Sequence, residues 1–455
     1  MKNKSLFLMI LALVCPIFVF GQNISITGKT NRPNALVRLL TYDEMFTCRQ
    51  TKIAETQSDA NGDFVLKTEI KEVTPAQIAV NLERADIILS PNGKYNLEII
   101  IPEQTDESYF DREQPSLGIS AIEDGDLFLQ YTNIQSFIDG YLYQNFNSIY
   151  RGRKMYLLDT LDLQITRNFG KIENKYIKDY IKYRKAAVLM TANAKKTKME
   201  YFDNQKVLYS QAAYMEVFSE LFGSYFNSRE FNQKELRNAF NMGYDNFMTY
   251  LEKDDFLSFN QQIFELVVML ELQRLYNENS FDKDKILSYI GKIKETSDFM
   301  KNRLVAMNLL KKMEELSYDS DAPSFSLKNR LGETIQLSDY QNDMVLIQFV
   351  DRVSPFVEHE FSSLNELQKQ WGDTIQVVTI ATKESFDDFV QMFENKGYKW
   401  TLLNLNFNIL LLEDYHIKTY PAYVILKRKG RIGMAPAPSP DQYLDYHVRR
   451  ISNYL

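Results

Sequence analysis

Residues 344–361 read MVLIQFVDRVSPFVEHEF, and this stretch decides the fold of the C-terminal segment. MVLIQFV (344–350) is a short, almost wholly apolar run, the pattern of a strand buried on both faces. Four residues on, Ser354 precedes Pro355. A serine suits a helix N-cap, and a proline suits the first helical position, where its missing N–H would have had no partner. A helix is therefore expected over SPFVEHEFSSLNELQKQW (354–371). Outward from this unit the alternation continues, with TIQVVTIAT (374–382) as strand, KESFDDFVQMFENKG (383–397) as helix, and AYVILKR (422–428) with GRIGMA (430–435) as a hairpin. Strands alternating with helices and closing in a hairpin predict a mixed sheet covered on both faces.

Toward the N-terminus the periodicity changes twice. Proline inside a helix removes a hydrogen bond and clashes with the preceding turn. Of the 12 prolines none lies between Pro115 and Pro323, and residues 117–318 are expected to form an all-α domain. Tyr214, Val217, Phe218, Leu221, Phe222 and Tyr225 share one helix face, Ile286, Ile290 and Ile293 share another, and FELVVML (264–270) reads as a helix buried nearly all round. Aromatic clusters such as YLYQNFNSIY (141–150) are expected in the core. Before them, residues 22–116 hold short alternating or apolar runs (ISITGK, ALVRLL, ADIILS, KYNLEIII) between the turns DANG (59–62) and PNG (91–93). This pattern predicts a small antiparallel β-sandwich. DANGD lacks the downstream glutamate of a calcium loop, so a plain hairpin is expected there. The fold class is thus multidomain α+β.

The chain of 455 residues carries 53 Lys and Arg against 60 Asp and Glu, a formal charge of −7. Interspersed charges of this balance argue against a nucleic-acid binder, and the densest basic run, AKKTK (194–198), reads as a solvated helix face. Lys2 and Lys4, the apolar stretch Leu6 to Phe20 and the small Gly21 form the pattern of a secretory signal peptide over 1–21, cleaved before Gln22. The stretch is short for a membrane span and contains Pro16. Lipid attachment at Cys15 is disfavoured because Val14 is not small. With Cys15 in the signal, Cys48 is the only remaining cysteine, expected as a small buried hydrophobe, and no internal disulfide can form.

APSFSLKNRLGETIQLSDYQNDMVLIQFV (322–350) contains A-P-x-F-x-L, a glycine turn, L-S-D-Y and V-L-I-x-F, and LEDYHIKTYPAYVILKRKGRI (412–432) reads Y-x-I-x-x-x-P followed by a strand and G-x-I. These motifs resemble the TlpA/ResA-type branch of the thioredoxin-like superfamily, related to the AhpC/TSA peroxiredoxins. The resemblance implies a thioredoxin-like α/β domain over 319–455. SITGK, NGDFVLK and NGKYNLEI also look like the small β domain of unknown function that precedes such modules in exported bacterial proteins. Together they imply a periplasmic or outer-membrane location.

The resemblance further implies Cys-x-x-C at the start of the helix, where this chain has Ser354, Pro355, Phe356 and Val357. Disulfide exchange needs a thiolate to attack and a second sulfur to displace it; a hydroxyl and an isopropyl group supply neither. Hydrolysis through Ser354 would need His359 as base with Glu358 or Glu360 as the orienting acid. Five helical residues rotate His359 by about 500° from Ser354, well off its face. His359, His416 and His447 have no partner at metal-ligand spacing. No catalytic residue, metal or cofactor is therefore expected. Pro421 in TYPAY (419–423) matches the family's cis-proline, which in relatives leaves a backbone edge open to an extended peptide. The expected groove lies between Val353 to Phe356 and Thr419, Tyr420 and Pro421. The function expected is non-enzymatic: a binder of a protein or extended peptide, or an accessory subunit of an outer-membrane or periplasmic complex. Two alternatives stay open, a thiol-disulfide oxidoreductase using Cys48 or an external thiol, and a glycan- or nutrient-uptake accessory using the aromatic helices.

Overall fold

The computed structural model describes residues 22–101, 118–121, 127–203, 205–258, 260–278, 281–383 and 385–452. The expected signal peptide lies outside the described residues. Among the described residues eight strands come first: β1 (Gln22–Thr30), β2 (Leu36–Tyr42), β3 (Gln50–Gln57), β4 (Asp63–Ile70), β5 (Thr74–Val80), β6 (Glu83–Leu89), β7 (Lys94–Ile100) and β8 (Gly118–Ala121). They form two four-stranded sheets, in the orders β4-β1-β7-β8 and β3-β2-β5-β6. Period-2 patterning places Tyr95, Leu97 and Ile99 inside and Lys94, Asn96 and Glu98 outside.

Two details of this β-rich region depart from the expectation. The first sheet is not wholly antiparallel, because β1 pairs antiparallel with β4 but parallel with β7. Alternation fixes which face a strand buries and is blind to its direction. DANG likewise closes no hairpin, since β3 and β4 belong to different sheets. Its local chemistry is that of a tight turn: Asp59 Oδ1 accepts from the N–H groups of Asn61 (2.8 Å) and Asp63 (2.9 Å). Gly62 has φ +85° and a Cβ there would lie 1.9 Å from the Thr30 carbonyl oxygen, so glycine is required. Long-range pairing, invisible to the turn itself, selects the sheet that the next strand joins.

Eleven α-helices follow among the described residues: α1 (Leu127–Gln144), α2 (Leu157–Phe169), α3 (Lys175–Ala192), α4 (Ala194–Tyr201), α5 (Ala212–Phe222), α6 (Gln233–Met242), α7 (Tyr244–Leu251), α8 (Asp255–Ser258), α9 (Gln261–Asn277), α10 (Lys283–Thr296) and α11 (Met300–Glu314). Asparagines that accept from backbone N–H groups start α3, α4, α6 and α9, and Asp282 does the same for α10. Tyr183, Phe202, Tyr214, Phe218 and Phe222 are fully buried in one aromatic cluster, with Phe218 and Phe222 ring centroids 4.9 Å apart. α9 is buried from Ile263 to Met269, as FELVVML predicts, and it takes Glu265 inside, where Ser297 Oγ and Asn302 Nδ2 donate to it.

The C-terminal segment builds β9 (Ser326–Asn329), β10 (Thr334–Gln336), β11 (Met344–Val350), α12 (Pro355–Trp371), β12 (Ile375–Ala381), α13 (Phe386–Lys396), β13 (Thr401–Asn404), α14 (Ile409–Asp414), β14 (Ala422–Lys427), β15 (Arg431–Ala437) and α15 (Leu444–Ser452). Its seven strands form one mixed sheet in the order β10-β9-β13-β12-β11-β14-β15. β11, β12 and β13 run parallel, and β14 returns antiparallel to β11. Every residue of β11 is buried. Met344, Leu346 and Val350 join one core with α12, α13 and α15, while Val345, Ile347 and Phe349 join a second core on the opposite face with Leu411 and Tyr415. A thioredoxin-like α/β domain thus occupies the C-terminus.

The chain divides into two compact units. One takes in residues up to Thr41 with Lys52–Ile78 and Ala85–Phe137; the other takes in Tyr42–Thr51, Ala79–Arg84 and Ile138–Leu455. The second unit therefore includes two short segments of the β-rich region as well as the helices and the seven-stranded sheet.

Candidate functional site at the sheet end

The parallel strands β11 and β12 end at the same edge of the sheet. β11 leads into the loop 351–354, and Phe349 pairs with Ala422 at the start of β14. Thr419, Tyr420 and Pro421, which precede Ala422, therefore emerge beside that loop. The Tyr420–Pro421 bond is cis. On the other side Thr382 follows β12, its N–H donating to the Val350 carbonyl (3.1 Å) and its Oγ1 to the Asp351 carbonyl (3.0 Å). The sheet so gathers the expected groove residues at one end. Thr419, Pro355 and Phe356 are exposed, while Tyr420 and Pro421 are half-buried.

Ser354 and Val357, the positions where the resemblance implies cysteine, each have a structural task. Ser354 is the N-cap of α12, with extended φ −147° and ψ 161°, and its Oγ accepts from the Val357 N–H at 3.3 Å. A serine cap of this kind contributes about 1 kcal/mol relative to alanine. Pro355 takes the first helical turn. Val357 is buried in the core with Phe361 and Leu364. Phe356, between them, is exposed.

The three groups weighed as a base and its acid turn to three different partners. His359 Nε2 lies 3.3 Å from Asp441, Glu358 lies 3.5 Å from Lys396, and Glu360 accepts from the Tyr423 hydroxyl at 2.7 Å. None of these three contacts involves Ser354. His416 sits 3.2 Å from Glu315, and no group of three or more metal-ligating side chains occurs among the described residues.

Below the groove runs a chain of buried side chains. Trp400 Nε1 donates to Thr379 Oγ1 (3.0 Å), which donates to Gln348 Oε1 (2.9 Å). Gln348 Nε2 donates to the Tyr423 hydroxyl (3.0 Å), which donates to Glu360 Oε2 (2.7 Å). Burial pushes the Glu360 carboxyl above the usual glutamate range; the Tyr423 hydrogen bond opposes this and the Asp441 charge adds to it. Burial first, and then Glu360 itself, push the Tyr423 hydroxyl far up, so it stays a donor. A signal for this network exists in the sequence: Gln348 is the one polar residue in MVLIQFV, and a buried amide needs partners.

Cys48 does not fill a core position. It is exposed, in the loop between β2 and β3, at φ +55°. The alternating residues around it suggest burial, but the chain turns there. Its Sγ donates to the Met45 carbonyl at 3.4 Å. Partial desolvation and the Glu44 charge push the thiol up, against the pull of Lys312. A thiol held protonated is a poor nucleophile.

Residues 319–435 match the model of the AhpC/TSA family. A curated relative, the thioredoxin-like protein YneN of Bacillus subtilis, is 30% identical over 129 residues, spanning 27% of this chain and 72% of that protein. Among solved structures, a thiol:disulfide interchange protein from Bacteroides sp. is 21% identical, with a TM-score of 0.28 over 30% of this chain and 92% of its own. The exposed lipoprotein thioredoxin of Streptococcus pneumoniae is 23% identical, with a TM-score of 0.24 over 28% of this chain and 99% of its own.

Proposed function

The chain belongs to the thioredoxin-like AhpC/TSA family, and we propose that it is a binding member of that family, one that holds an extended polypeptide at the sheet end without exchanging disulfides. The observation that carries this reading is the employment of both sulfur positions in the fold itself: Ser354 caps α12 and Val357 packs into the core. The exposed Phe356, beside Thr419 and the cis Pro421, offers an apolar anchor next to a backbone edge. The signal-like pattern of residues 1–21 supports an envelope location for this binding.

The test has two arms. In an insulin-reduction assay the protein should show no turnover above buffer, and turnover that disappears in Cys48→Ser would overturn the reading in favour of a thiol enzyme. In the second arm a photocrosslinking amino acid replaces Phe356 or Leu331, and each protein is offered reduced, alkylated lactalbumin as an unfolded polypeptide. Leu331 is a fair control because it is exposed in the turn after β9, a strand three places from β11 in the sheet and running away from the groove end. Adducts from position 356 and none from 331 are expected; equal adducts from both would sink the groove.

A further inference from the structure

A second surface, in the helical segment and independent of the sheet-end groove, has a chemistry of its own. It forms where α1 gives way to α2. The last turn of α1 continues as a π-helical turn, Asn147–Arg151, and ends at Gly152, where a Cβ would lie 2.7 Å from the Ser148 carbonyl oxygen. Arg153 then takes φ +50°, and α2 begins at Leu157. The Tyr141 hydroxyl donates to the Leu157 carbonyl at 2.8 Å and fastens the two sides of the corner.

Large rings crowd this corner and stay in water. Tyr143 is 84% exposed, Tyr156 62% and Phe146 48%, in contrast with the buried aromatic cluster of α3 to α5. Phe146 stands against Tyr150 with centroids 4.8 Å apart. Arg151, Arg153 and Lys154 are exposed at the tip. From residue 140 to residue 158 the sequence contains no Asp or Glu, although the whole chain carries a net −7. The nearest acid on the N-terminal side, Asp139, is engaged with Arg184 at 2.5 Å, and Asp162 of α2 is engaged with Lys185. Asp159 is exposed on α2, and Glu220 of α5 is near enough for its charge to act on Tyr150, so acid bounds the patch on those sides.

We propose that this corner docks on an anionic phospholipid surface, with the rings of Tyr143, Phe146 and Tyr156 at headgroup depth and Arg151, Arg153 and Lys154 against the phosphates. Charge complementarity selects the partner: three cations within four residues match a dense field of negative charge. Aromatic rings, Tyr and Trp above all, sit well at the boundary between headgroups and acyl chains. Size argues in the same direction. A stable protein interface takes about 20 to 30 residues a side, far more than the six exposed rings and cations of this corner, whereas a bilayer contact works with a few rings and cations.

The test uses the full chain with Tyr143→Trp, whose indole would report on the patch itself against a constant background from the buried Trp371 and Trp400. Vesicles carry brominated phosphatidylglycerol or brominated phosphatidylcholine as quencher. Each cation near a charged membrane strengthens binding about fivefold, so half-maximal quenching should need on the order of a hundredfold less of the anionic lipid. Adding R151Q, R153Q and K154Q should abolish that preference, and Lys replacements at both arginines should keep it. Equal quenching by the two lipids, quenching by neither, or a preference that survives the three glutamines would overturn the proposal. So would an emission shift produced by poly-glutamate or a neutral glycan but not by vesicles, which would assign the corner to an acidic polypeptide or a sugar.

Discussion

Glu360 is a carboxyl that the fold keeps inside at a cost set by pH. Folded, it titrates above the usual glutamate range because burial disfavours its charge, with Tyr423, Asp441 and His359 as the titratable groups around it. The folded state therefore holds a proton that the unfolded chain releases. The stability this gives is fully present below the unfolded pKa and is lost as pH rises through the folded value. Glu360→Gln keeps an acceptor for the Tyr423 hydroxyl and removes the titration. Urea unfolding at a series of pH values should show the wild-type free energy falling more steeply above the usual glutamate range than that of the glutamine variant. Identical slopes would refute the assignment. Glu360→Ala strands the Tyr423 hydroxyl and should cost about 1 to 3 kcal/mol at any pH.

Among the elements, the loop between β2 and β3 shows how polar side chains seat a segment without a core of its own. Glu44 is buried; its Oε2 accepts from the Phe46 N–H (2.7 Å) and the Thr47 N–H (2.9 Å), and its Oε1 from Asn308 Nδ2 of α11 (3.1 Å). Asn308 Oδ1 in turn accepts from Arg49 Nη1 at 3.0 Å. Asn308→Ala removes a donor from a buried carboxylate and an acceptor from a guanidinium, and should destabilise by about 2 to 3 kcal/mol. Its local effect can be read at Cys48. In a Cys15→Ser background, reaction with Ellman's reagent should be slow and should accelerate several-fold on Asn308→Ala, because opening the loop relieves the desolvation that raises the thiol. An unchanged rate would mean that α11 does not hold the loop closed.

At the scale of the molecule, what the sequence makes legible is what depends on neighbours in the chain. The strand MVLIQFV, the Ser354-Pro355 helix start and the proline-free helical interval all rest on local periodicity or local backbone chemistry, and β11, α12 and the helices follow them. The direction of β7 beside β1, the hydrogen-bond chain from Trp400 to Glu360, and the membership of 42–51 and 79–84 in the second unit depend on pairings far apart in sequence, which periodicity does not encode. That last feature has an energetic consequence. A chain shortened to begin at Ile138 retains the last turns of α1, all later helices and the seven-stranded sheet but loses both short segments. With them go the Glu44 and Arg49 bonds to Asn308, the Met45 N–H to the Tyr209 carbonyl (2.8 Å), the Phe46 ring beside Phe218 (6.2 Å), Leu82 from one face of the sheet, and the Arg84–Glu413 ion pair (2.6 Å). Two lost half-buried apolar side chains at about 1 to 2 kcal/mol each, below the value for full burial, with a stranded buried asparagine at about 1 to 3 kcal/mol, give about 3 to 7 kcal/mol. This is comparable to the whole stability of a marginal domain, where domains span about 5 to 15 kcal/mol. The shortened chain should therefore melt far below the full one by circular dichroism or fail to remain soluble, and an unaltered melting curve for its helices would show that the two segments contribute nothing to the second unit.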